Sequence, residues 1–327
     1  MSENLETITS NAEEITESAI PQEKLDLPIE PAKEFTWQVI LMLIVIIVAW
    51  ATPNVIGKYI DNTTDLEPIQ ISALRYLPAA LTLVIVCLAT KRGKQLILDF
   101  KEKYIHLIIA SLILTSFVLF QMYSVTMINA NASSFLLNVN PIITFVLSIL
   151  VLKERHKWWG ALGVFIAFAG VFFIAIPIDQ IKTTFSPAEL IGSLLAFLSG
   201  FAWAAYSVYL KKFLKERDPI TTTTWTLGIS AVILTIVMFS VYGWFSSTAK
   251  YYHYITILFM GIVPTAIAFT LWFETIRRIS VQKASVFQFL IPIIATLFTL
   301  AMGELITWFF ALGGVLIIGG LIIAQKS

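Results

Sequence analysis

Long apolar stretches alternate with short polar segments from residue 37 to the end of the sequence. An α-helix needs about 20 residues to cross the hydrocarbon core of a bilayer. Only helices and closed barrels satisfy every backbone polar group in lipid, and stretches of this length are too long for strands. The sequence therefore predicts an all-α integral membrane protein with ten transmembrane helices, which we place at residues 37–57, 69–89, 104–124, 133–152, 158–177, 190–210, 222–243, 253–275, 285–302 and 306–324.

The composition agrees with a chain that dissolves in lipid. Hydrophobic residues occupy 57% and charged residues 13% of the 327 positions, and the mean hydropathy is +0.82. Soluble domains carry about 25% charged residues, because a water-facing surface needs them. The connections between the apolar stretches are short, so we expect no separate soluble domain.

Lysine and arginine concentrate on one side of the predicted membrane. The connections after spans two, four, six and eight, together with the two tails, hold 18 of the 22 Lys and Arg residues. Basic residues are enriched in cytoplasmic connections. The sequence therefore predicts that the N- and C-termini are cytoplasmic. The Ile-, Lys- and Asn-rich composition favours a bacterial cytoplasmic membrane.

The first 34 residues differ from the rest of the chain. They contain nine acidic residues and two lysines, with no aromatic residue and no long apolar stretch. Such a segment cannot bury enough apolar surface to offset the entropy that it would lose on ordering. We expect residues 1–34 to form a disordered acidic cytoplasmic tail, which either solvates the chain end or binds a regulatory partner.

The sequence repeats itself at a shift of about 150 residues. PIITFVLSILVLKE at 141–154 matches PIIATLFTLAMGE at 292–304, and AWATPNVIGK at 49–58 parallels AWAAYSVYLK at 202–211. Five helices per repeat is an odd number, so the second copy starts from the opposite side of the membrane. We predict two inverted five-helix repeats, at residues 35–178 and 186–325. Inverted repeats are typical of secondary transporters, in which they enclose a central site.

An ordered set of short motifs extends across the two repeats, at Trp50, Lys58, 73–76, 132–141, Glu154, Gly160, Gly163, Gly170, Trp203, Ala204, Tyr206, 264–266, Trp272, Leu290, Pro292, Glu304, Gly313 and Gly320. This set resembles the EamA-type, ten-helix members of the drug/metabolite transporter superfamily, over roughly residues 37–325. The resemblance implies a central cavity lined by spans one, three, four, six, eight and nine. It also implies that spans five and ten pack at the periphery.

Two ionisable side chains inside the predicted spans are candidates for function, because a charge at the bilayer centre costs about 2.5–3.5 kcal/mol on insertion scales. Arg75 could bind an anionic group through a bidentate guanidinium contact, or could bind backbone carbonyls or reach the outer headgroups. Glu274 stands where the resembled family has an aromatic or small residue. It could act as a gate or recognise a cation, or could form a local ion pair with Arg277 and Arg278.

Uncharged polar residues in span four indicate an inward-facing surface. Ser134 and Asn138 are four residues apart and therefore share one face of a helix. Amides without hydrogen-bond partners are costly in hydrocarbon, so we expect this face to point into the protein. Pro141 and Pro292 each remove one helical hydrogen bond, which frees carbonyl groups for a substrate or allows bending.

Deep aromatic and amide side chains complete the predicted site, either as the wall of a cavity or as packing between helices. The predicted substrate-binding residues are Trp50, Asn54, Arg75, Gln121, Tyr123, Ser134, Asn138, Trp203, Tyr206, Trp272 and Gln288. The predicted gating or hinge residues are Pro53, Pro141, Pro264, Pro292 and Glu274.

The pattern favours a secondary transporter that exports small amphipathic metabolites, such as amino acids or related compounds, by alternating access around a central cavity. An integral membrane enzyme and a non-transporting membrane scaffold are the alternatives. An enzyme of this kind would need clustered acids, bases or metal ligands. The three histidines (His106, His156 and His253) lie far apart in the sequence, without paired carboxylates beside them.

The expected partners are a small-molecule substrate and the lipid bilayer, with the chain a monomer or a weak homo-oligomer. The sequence has no glycine-rich loop before a Lys-Ser or Lys-Thr pair, so we expect no direct use of ATP. We also expect no catalytic residue, no metal, no other cofactor and no nucleic-acid partner.

Overall fold

The computed structural model describes residues 35–128, 130–175, 186–242, 248–301, 303 and 308–326. We number the helices α1 to α10 and divide an interrupted helix into parts a and b. The first repeat contains α1 (Trp37–Thr63), α2 (Pro68–Ala89), α3 (Gly93–Met127), α4a (Ala130–Leu137), α4b (Asn140–Leu152) and α5 (Trp158–Ala175). The second contains α6 (Pro187–Leu214), α7 (Pro219–Val241), α8a (Tyr251–Gly261), α8b (Ala268–Arg278), α9a (Val281–Val286), α9b (Ile291–Ala301) and α10 (Trp308–Gln325).

The helix starts follow from local sequence signals. The Thr36 hydroxyl accepts a hydrogen bond from the backbone of the first turn of α1. Ser186 and Glu189 form a reciprocal capping box at the start of α6, and Asp218 caps α7. Such caps satisfy backbone N–H groups that have no partner within the helix. These three helices therefore begin within a few residues of the predicted spans.

The predicted all-helical membrane architecture is confirmed. Among the described residues, nine helical segments are long and apolar enough to cross a membrane, and α1 adds a shorter apolar stretch over Trp37–Pro53. The main difference lies in α3, which begins at Gly93 rather than at residue 104 and kinks at Lys103. The segment before the kink contains too many polar residues for its hydropathy to indicate a transmembrane helix. It is nevertheless helical, because Asp99 on it is buried against α7.

Three helices are interrupted near their predicted prolines. The α-helical hydrogen bonding of span four is broken between Leu137 and Asn140, and Pro141 lies in the first turn of α4b. A π-helical segment at Ile262–Ile267 contains Pro264 and joins α8a to α8b. A 3₁₀ segment at Phe287–Leu290 joins α9a to α9b, and Pro292 follows it. Proline explains these breaks, since it cannot donate a hydrogen bond and its ring crowds the preceding turn.

Helices α5 and α10 cross at their glycines. A Cβ atom added to Gly163 would lie 2.5 Å from the carbonyl oxygen of Gly320, and one added to Gly170 would lie 2.6 Å from that of Gly313. Because the partner numbers fall as the α5 numbers rise, the two helices run antiparallel. Small residues allow such backbone contact between membrane helices. The glycines therefore serve packing within the chain.

Other equivalent helices are also antiparallel. The thiol of Cys87, near the end of α2, lies 3.4 Å from the Thr224 hydroxyl near the start of α7. Beyond it, Arg92 forms an ion pair with Asp218 at 3.2 Å. Since α7 is the repeat partner of α2, this pairing is the one that an inverted repeat requires.

The remaining contacts come in symmetry-related pairs. Helix α1 packs against α8, and α6 packs against α3, as expected when the repeat operation exchanges α1 with α6 and α3 with α8. The buried apolar core in the centre is built mainly from α1, α2, α3, α6, α7 and α8. A second cluster involves α5 and α10 with parts of α4 and α9, which agrees with the expected peripheral position of α5 and α10.

The acidic tail at 1–34 lies outside the described residues. The repeat boundaries at 35–178 and 186–325 stay predictions, and so does the cytoplasmic position of both termini.

We predict that Gly320→Ala destabilises the protein, whereas Gly319→Ala does not. A Cβ atom at Gly320 would lie 2.5 Å from the backbone nitrogen of Ala167, while one at Gly319 meets nothing within 4 Å. Overpacking of this kind typically costs about 1–3 kcal/mol. Thermal unfolding of the purified protein in detergent measures the difference. Equal midpoints for the two variants would contradict the close α5–α10 crossing.

Candidate functional site

Four aromatic rings from three helices meet in the centre of the fold. The Trp50 ring on α1 lies edge-on to Trp203 on α6, with centroids 5.2 Å apart and planes at 84°. Trp272 and Phe269 on α8b lie 5.5 and 5.8 Å from Trp50, and 5.9 and 5.4 Å from Trp203. Edge-to-face contacts at these distances are favourable. We call these four residues the central aromatic cluster.

The three indole N–H groups of the cluster are all hydrogen-bonded. Trp50 Nε1 donates to the carbonyl of Pro264 at 3.0 Å, in the π-helical segment where proline interrupts the regular bonding. Trp203 Nε1 donates to Gln288 Oε1 at 3.1 Å, and Trp272 Nε1 donates to the Ser207 hydroxyl at 3.0 Å. These bonds fix the orientation of each ring and link the cluster to the interruptions in α8 and α9.

Trp50 and Trp203 occupy equivalent positions in the two repeats. Each lies between two alanines that are buried in the structure, in the shared sequence Ala-Trp-Ala. The small neighbours let other helices approach, while the large ring projects from the helix. Because the two residues are repeat partners, their contact lies where the repeats meet.

Further buried or partly buried aromatic residues surround the cluster. Tyr206 lies 5.7 Å from Trp203, and its hydroxyl is 3.2 Å from that of Thr226. Phe117 lies 5.2 Å from Trp203, and Tyr76 lies 6.3 Å from Phe269. Of the predicted site residues, the structure thus brings together Trp50, Trp203, Tyr206, Trp272 and Gln288.

The residues predicted for the site from the sequence did not include Phe117, Phe269 or Tyr76, although Tyr76 lies in the 73–76 motif. Phenylalanine is common on lipid-facing surfaces of this chain, so residue type alone does not separate these positions. The interruption at Pro264 is the signal that could have found Phe269, since it lies one turn beyond that break.

Arg75 lies where α2 crosses α8. Its carbonyl oxygen would be 2.6 Å from a Cβ atom on Gly261, which shows how closely the two helices approach. The guanidinium carbon lies 5.4 Å from the centre of the Tyr76 ring, within cation–π range. The Nε atom is buried and has no hydrogen-bond partner among the described residues. The side chain therefore retains a buried donor.

Gln121 connects three helices through small hydroxyl groups. Its Nε2 donates to Ser133 on α4a at 3.2 Å, and its Oε1 accepts from Ser199 on α6 at 2.9 Å. Ser133 in turn lies 2.8 Å from the hydroxyl of Ser124. Ser124 and Ser199 were not predicted as site residues, because single serines give no distinctive pattern.

The asparagines of span four bond within their own segment. Asn138 Nδ2 donates to the carbonyl of Ser134 at 2.7 Å, and Asn140 Nδ2 donates to that of Leu137 at 3.1 Å. These bonds satisfy carbonyl groups at the end of α4a. The amide N–H groups of Asn138 and Asn140 therefore have partners within span four and, contrary to our expectation, do not depend on side chains of other helices. The Oδ1 atom of Asn140 is buried without a partner among the described residues.

Tyr123 lies on the surface of the fold rather than in the central aromatic cluster. Tyr123 is 37% exposed and lines a small pocket with residues from the start of α2 and the end of α7. Pro53 lies inside α1, and the side chain of the adjacent Asn54 lies outside what the structure describes. The roles of Tyr123 and Asn54 in substrate binding stay predictions.

Glu274 joins helix ends at the predicted cytoplasmic side. Its carboxylate lies 2.9 Å from Arg277 Nη1 and 2.6 Å from Arg278 Nε. Arg278 also donates to Gln38 on α1, and Arg277 donates to the carbonyl of Lys215 at the end of α6. The local ion pair is therefore present and is tied to two other helices. A gating role for Glu274 stays a prediction, as does hinge motion at the four prolines.

A second ionic group on that side links α4b to α6. Lys211 Nζ lies 3.3 Å from Glu154 Oε1 and donates to the carbonyl of Ile279 at 2.6 Å. His156 Nε2 lies 3.4 Å from the other Glu154 oxygen and 2.9 Å from the Ser148 hydroxyl. Burial favours the neutral acid, but the His156 hydrogen bond and the Lys211 charge outweigh it, so the pKa of Glu154 is lowered. We call Glu154, His156 and Lys211 the Glu154 cluster. Its partner in the second repeat, Glu304, lies outside the described residues.

The side chains described at these sites provide apolar, hydrogen-bonding and ionic contacts. Within the described ranges, no group of three or more His, Cys, Asp or Glu side chains is arranged to hold a metal ion. His156 lies beside one carboxylate, that of Glu154, and His106 bonds to the Tyr209 hydroxyl at 2.8 Å. The central aromatic cluster can contact an apolar or aromatic moiety, and Gln288, bonded to Trp203, adds a buried polar side chain there.

These features define a polytopic helical membrane protein made of two antiparallel-related repeats around an aromatic centre. The model of the EamA-like transporter family matches residues 37–176 and 190–325. The chain therefore belongs to the EamA-like transporter family, and it is a multi-pass membrane transporter. This confirms the resemblance found from the sequence motifs.

Several curated relatives have the same general description. The chain is 31% identical over 193 residues to the uncharacterized transporter YyaM of Bacillus subtilis, covering 58% of this chain and 62% of the relative. It is 26% identical to the uncharacterized transporter YoaV of the same organism, covering 79% and 87%. An uncharacterized transporter of Archaeoglobus fulgidus is 25% identical over 86% of this chain and 94% of its own length.

A solved structure supports the fold independently. A crystal structure matches with a TM-score of 0.77 over 88% of this chain and 96% of that chain, at 18% sequence identity. At this identity the match establishes the shared fold alone.

We predict that Glu154→Gln lowers the stability at neutral pH, by about 1–3 kcal/mol, because a partly buried carboxylate that pairs with Lys211 and His156 is lost. The lowered pKa means that this stabilisation is present above the ordinary carboxyl pKa of 4.5 and disappears as the pH falls through the folded-state value. Thermal unfolding of both proteins between about pH 3 and 8 measures the convergence.

Glu216→Gln is the matched control for that measurement. Glu216 is 83% exposed, and its carboxylate lies 3.7 Å from Lys215 Nζ. Exposed ion pairs of this kind contribute little to the free energy of unfolding. We expect the midpoint of Glu216→Gln to follow the unmodified protein at every pH. A Glu154→Gln midpoint that also follows the unmodified protein would contradict the role given to the Glu154 cluster.

Proposed function

We propose that this protein is a secondary transporter that exports small amphipathic metabolites, such as amino acids or related compounds, by alternating access. The central aromatic cluster supports this proposal most directly. Repeat-related tryptophans meet there, on helices that the family resemblance assigns to the cavity. Sites of this kind lie at the repeat interface near mid-membrane in transporters with inverted repeats.

The composition of the centre favours an amphipathic solute. The rings of the central aromatic cluster provide apolar surface, and beside them Gln288 Nε2 is buried without a hydrogen-bond partner among the described residues. Arg75 Nε, at the crossing of α2 and α8, is likewise buried without such a partner. Leaving such groups unpaired costs free energy, so their retention favours a ligand that pairs with them. A solute with an apolar body and a polar end matches both parts.

Contacts at the two ends of the fold offer a route for alternating access. At one end, the Glu154 cluster and the Glu274 ion pairs hold α1, α4b, α6 and α8b together. At the other end, Thr63 lies 3.3 Å from His253, and the backbone N–H of Asp65 donates to the Thr248 hydroxyl at 2.8 Å. We propose that these two sets of contacts break in turn, with bending at Pro141, Pro264 and Pro292.

The setting of this activity is also proposed. The relatives in Bacillus subtilis favour a bacterial cytoplasmic membrane. The basic residues on one side favour cytoplasmic termini, with export following from the family resemblance. We propose a monomer or weak homo-oligomer that acts without a metal or another cofactor.

We predict that counterflow in proteoliposomes, tested with a panel of amino acids and related amphipathic metabolites, detects flux that the Asn138→Ala/Trp203→Ala double variant loses. Removing Trp203 eliminates its five aromatic contacts and leaves Gln288 Oε1 without its donor. We expect the initial rate to fall at least about 10-fold, which corresponds to about 1.4 kcal/mol.

Trp158→Ala provides the control for loss of a tryptophan. Trp158 is 63% exposed at the start of α5 and stacks on Trp159, away from the centre. We expect it to retain flux. If no solute shows flux above the double variant, the transport mechanism proposed here is wrong, and a scaffold role becomes the better interpretation.

A further inference from the structure

Gln282 is a buried amide without partners. It lies in the first turn of α9a with its residue 0% exposed. Neither its Oε1 nor its Nε2 atom has a hydrogen-bond partner among the described residues. Nearly all buried polar side-chain atoms in proteins are paired, so an amide that lacks partners at both atoms needs a specific explanation.

Gln282 is the first of three buried polar residues on one side of span nine. Ser285 and Gln288 follow at intervals of three residues and are 1% and 4% exposed. Residues three apart on a helix are neighbours on its surface. We call Gln282, Ser285 and Gln288 the span-nine polar track. At a rise of about 1.5 Å per residue, it extends over roughly 9 Å.

The two ends of the polar track have different surroundings. At the end nearer the centre of the fold, Gln288 accepts a hydrogen bond from Trp203 of the central aromatic cluster, and its Nε2 has no partner within the described residues. The other end, at Gln282, lies three residues after Ile279, whose carbonyl oxygen accepts a hydrogen bond from Lys211. The track therefore runs from the Glu154 cluster to the aromatic centre.

Fold stability does not account for this pattern. An apolar side chain of similar size at position 282 would avoid the cost of two unpaired polar atoms. The nearby Gln325 also has one buried atom, Oε1, without a partner among the described residues, but its Nε2 donates a structural hydrogen bond to the carbonyl of Lys283 at 3.0 Å. Gln282 makes no such contact with the described part of the chain.

We propose that the span-nine polar track is the cytoplasmic half of the substrate route, and that it pairs with the polar end of a solute carrying both hydrogen-bond donors and acceptors, such as a zwitterionic amino acid. This inference rests on the proposed transport function. The amide of Gln282 offers a donor and an acceptor at the entrance, and Gln288 repeats the donor beside the aromatic rings. The contact of Lys211 with Ile279 closes the route in the conformation described here.

Cysteine accessibility tests the route without requiring flux. The natural chain has one cysteine, Cys87, which is buried, so Cys87→Ser provides the background. We expect Gln282→Cys to react with a membrane-impermeant maleimide in inside-out vesicles and at least about 10-fold more slowly in right-side-out vesicles. Val286→Cys is the matched control, because Val286 is also 0% exposed but packs in the α5–α10 cluster. It should not react from either side.

Equal reaction of the two cysteines, or no reaction of Gln282→Cys from the cytoplasmic side, would overturn the proposed route even if the protein transports solutes. Reaction of Gln282→Cys in a protein without measurable flux would instead count against the transport mechanism and leave the polar route standing. The two proposals therefore fail separately.

Gln282→Leu tests the substrate chemistry. We expect counterflow of L-leucine, a zwitterion, to fall at least 10-fold while the unfolding midpoint stays the same or rises. Gln325→Leu should show the reverse, with a lower midpoint and unchanged leucine counterflow per folded molecule. Unchanged leucine counterflow by Gln282→Leu, or a parallel loss of stability and flux, would contradict a substrate contact at Gln282.

Discussion

The contact between Trp50 and Trp203 determines how the two repeats face each other. Equivalent residues can touch only near the axis that relates their repeats, and here their rings meet edge to face. The surrounding helices follow from that arrangement, since α1 packs on α8 as α6 packs on α3. Two identical local sequences thus define the centre of the fold, and the indole N–H groups connect it to different partners, Pro264 on α8 and Gln288 between α9a and α9b.

That difference in partners breaks the symmetry of the centre. Gln288 occupies the position in the second repeat that Leu137 occupies in the first. The second repeat therefore has an amide where the first has an apolar side chain. The asparagines of span four bond to carbonyls of their own segment, whereas Gln288 bonds to Trp203 on another helix. A symmetric scaffold therefore carries an asymmetric set of polar groups, and this asymmetry allows two related halves to make different contacts with one solute.

The sequence predicted the helices well because the bilayer imposes a minimum apolar length on each of them. It missed the start of α3, where Asp99 and its polar neighbours lower the hydropathy although the segment is helical and Asp99 bonds to Thr221. The aromatic centre was predicted in part. Trp50, Trp203 and Trp272 were chosen by depth, but depth does not say which face of a helix points inward. Phe117 and Phe269 were therefore indistinguishable from the many phenylalanines on lipid-facing surfaces.

The α5–α10 crossing has the geometry of a homodimer interface enclosed in one polypeptide. Gly163 faces Gly320 while Gly170 faces Gly313, so the same patch appears on both sides and is complementary to itself. Each contact depends on two glycines that are about 150 residues apart in the sequence. Replacing either glycine places a side chain in the same narrow gap. Two repeats joined in this way can diverge in the polar residues at their centre, but they must keep matching glycines where α5 and α10 cross.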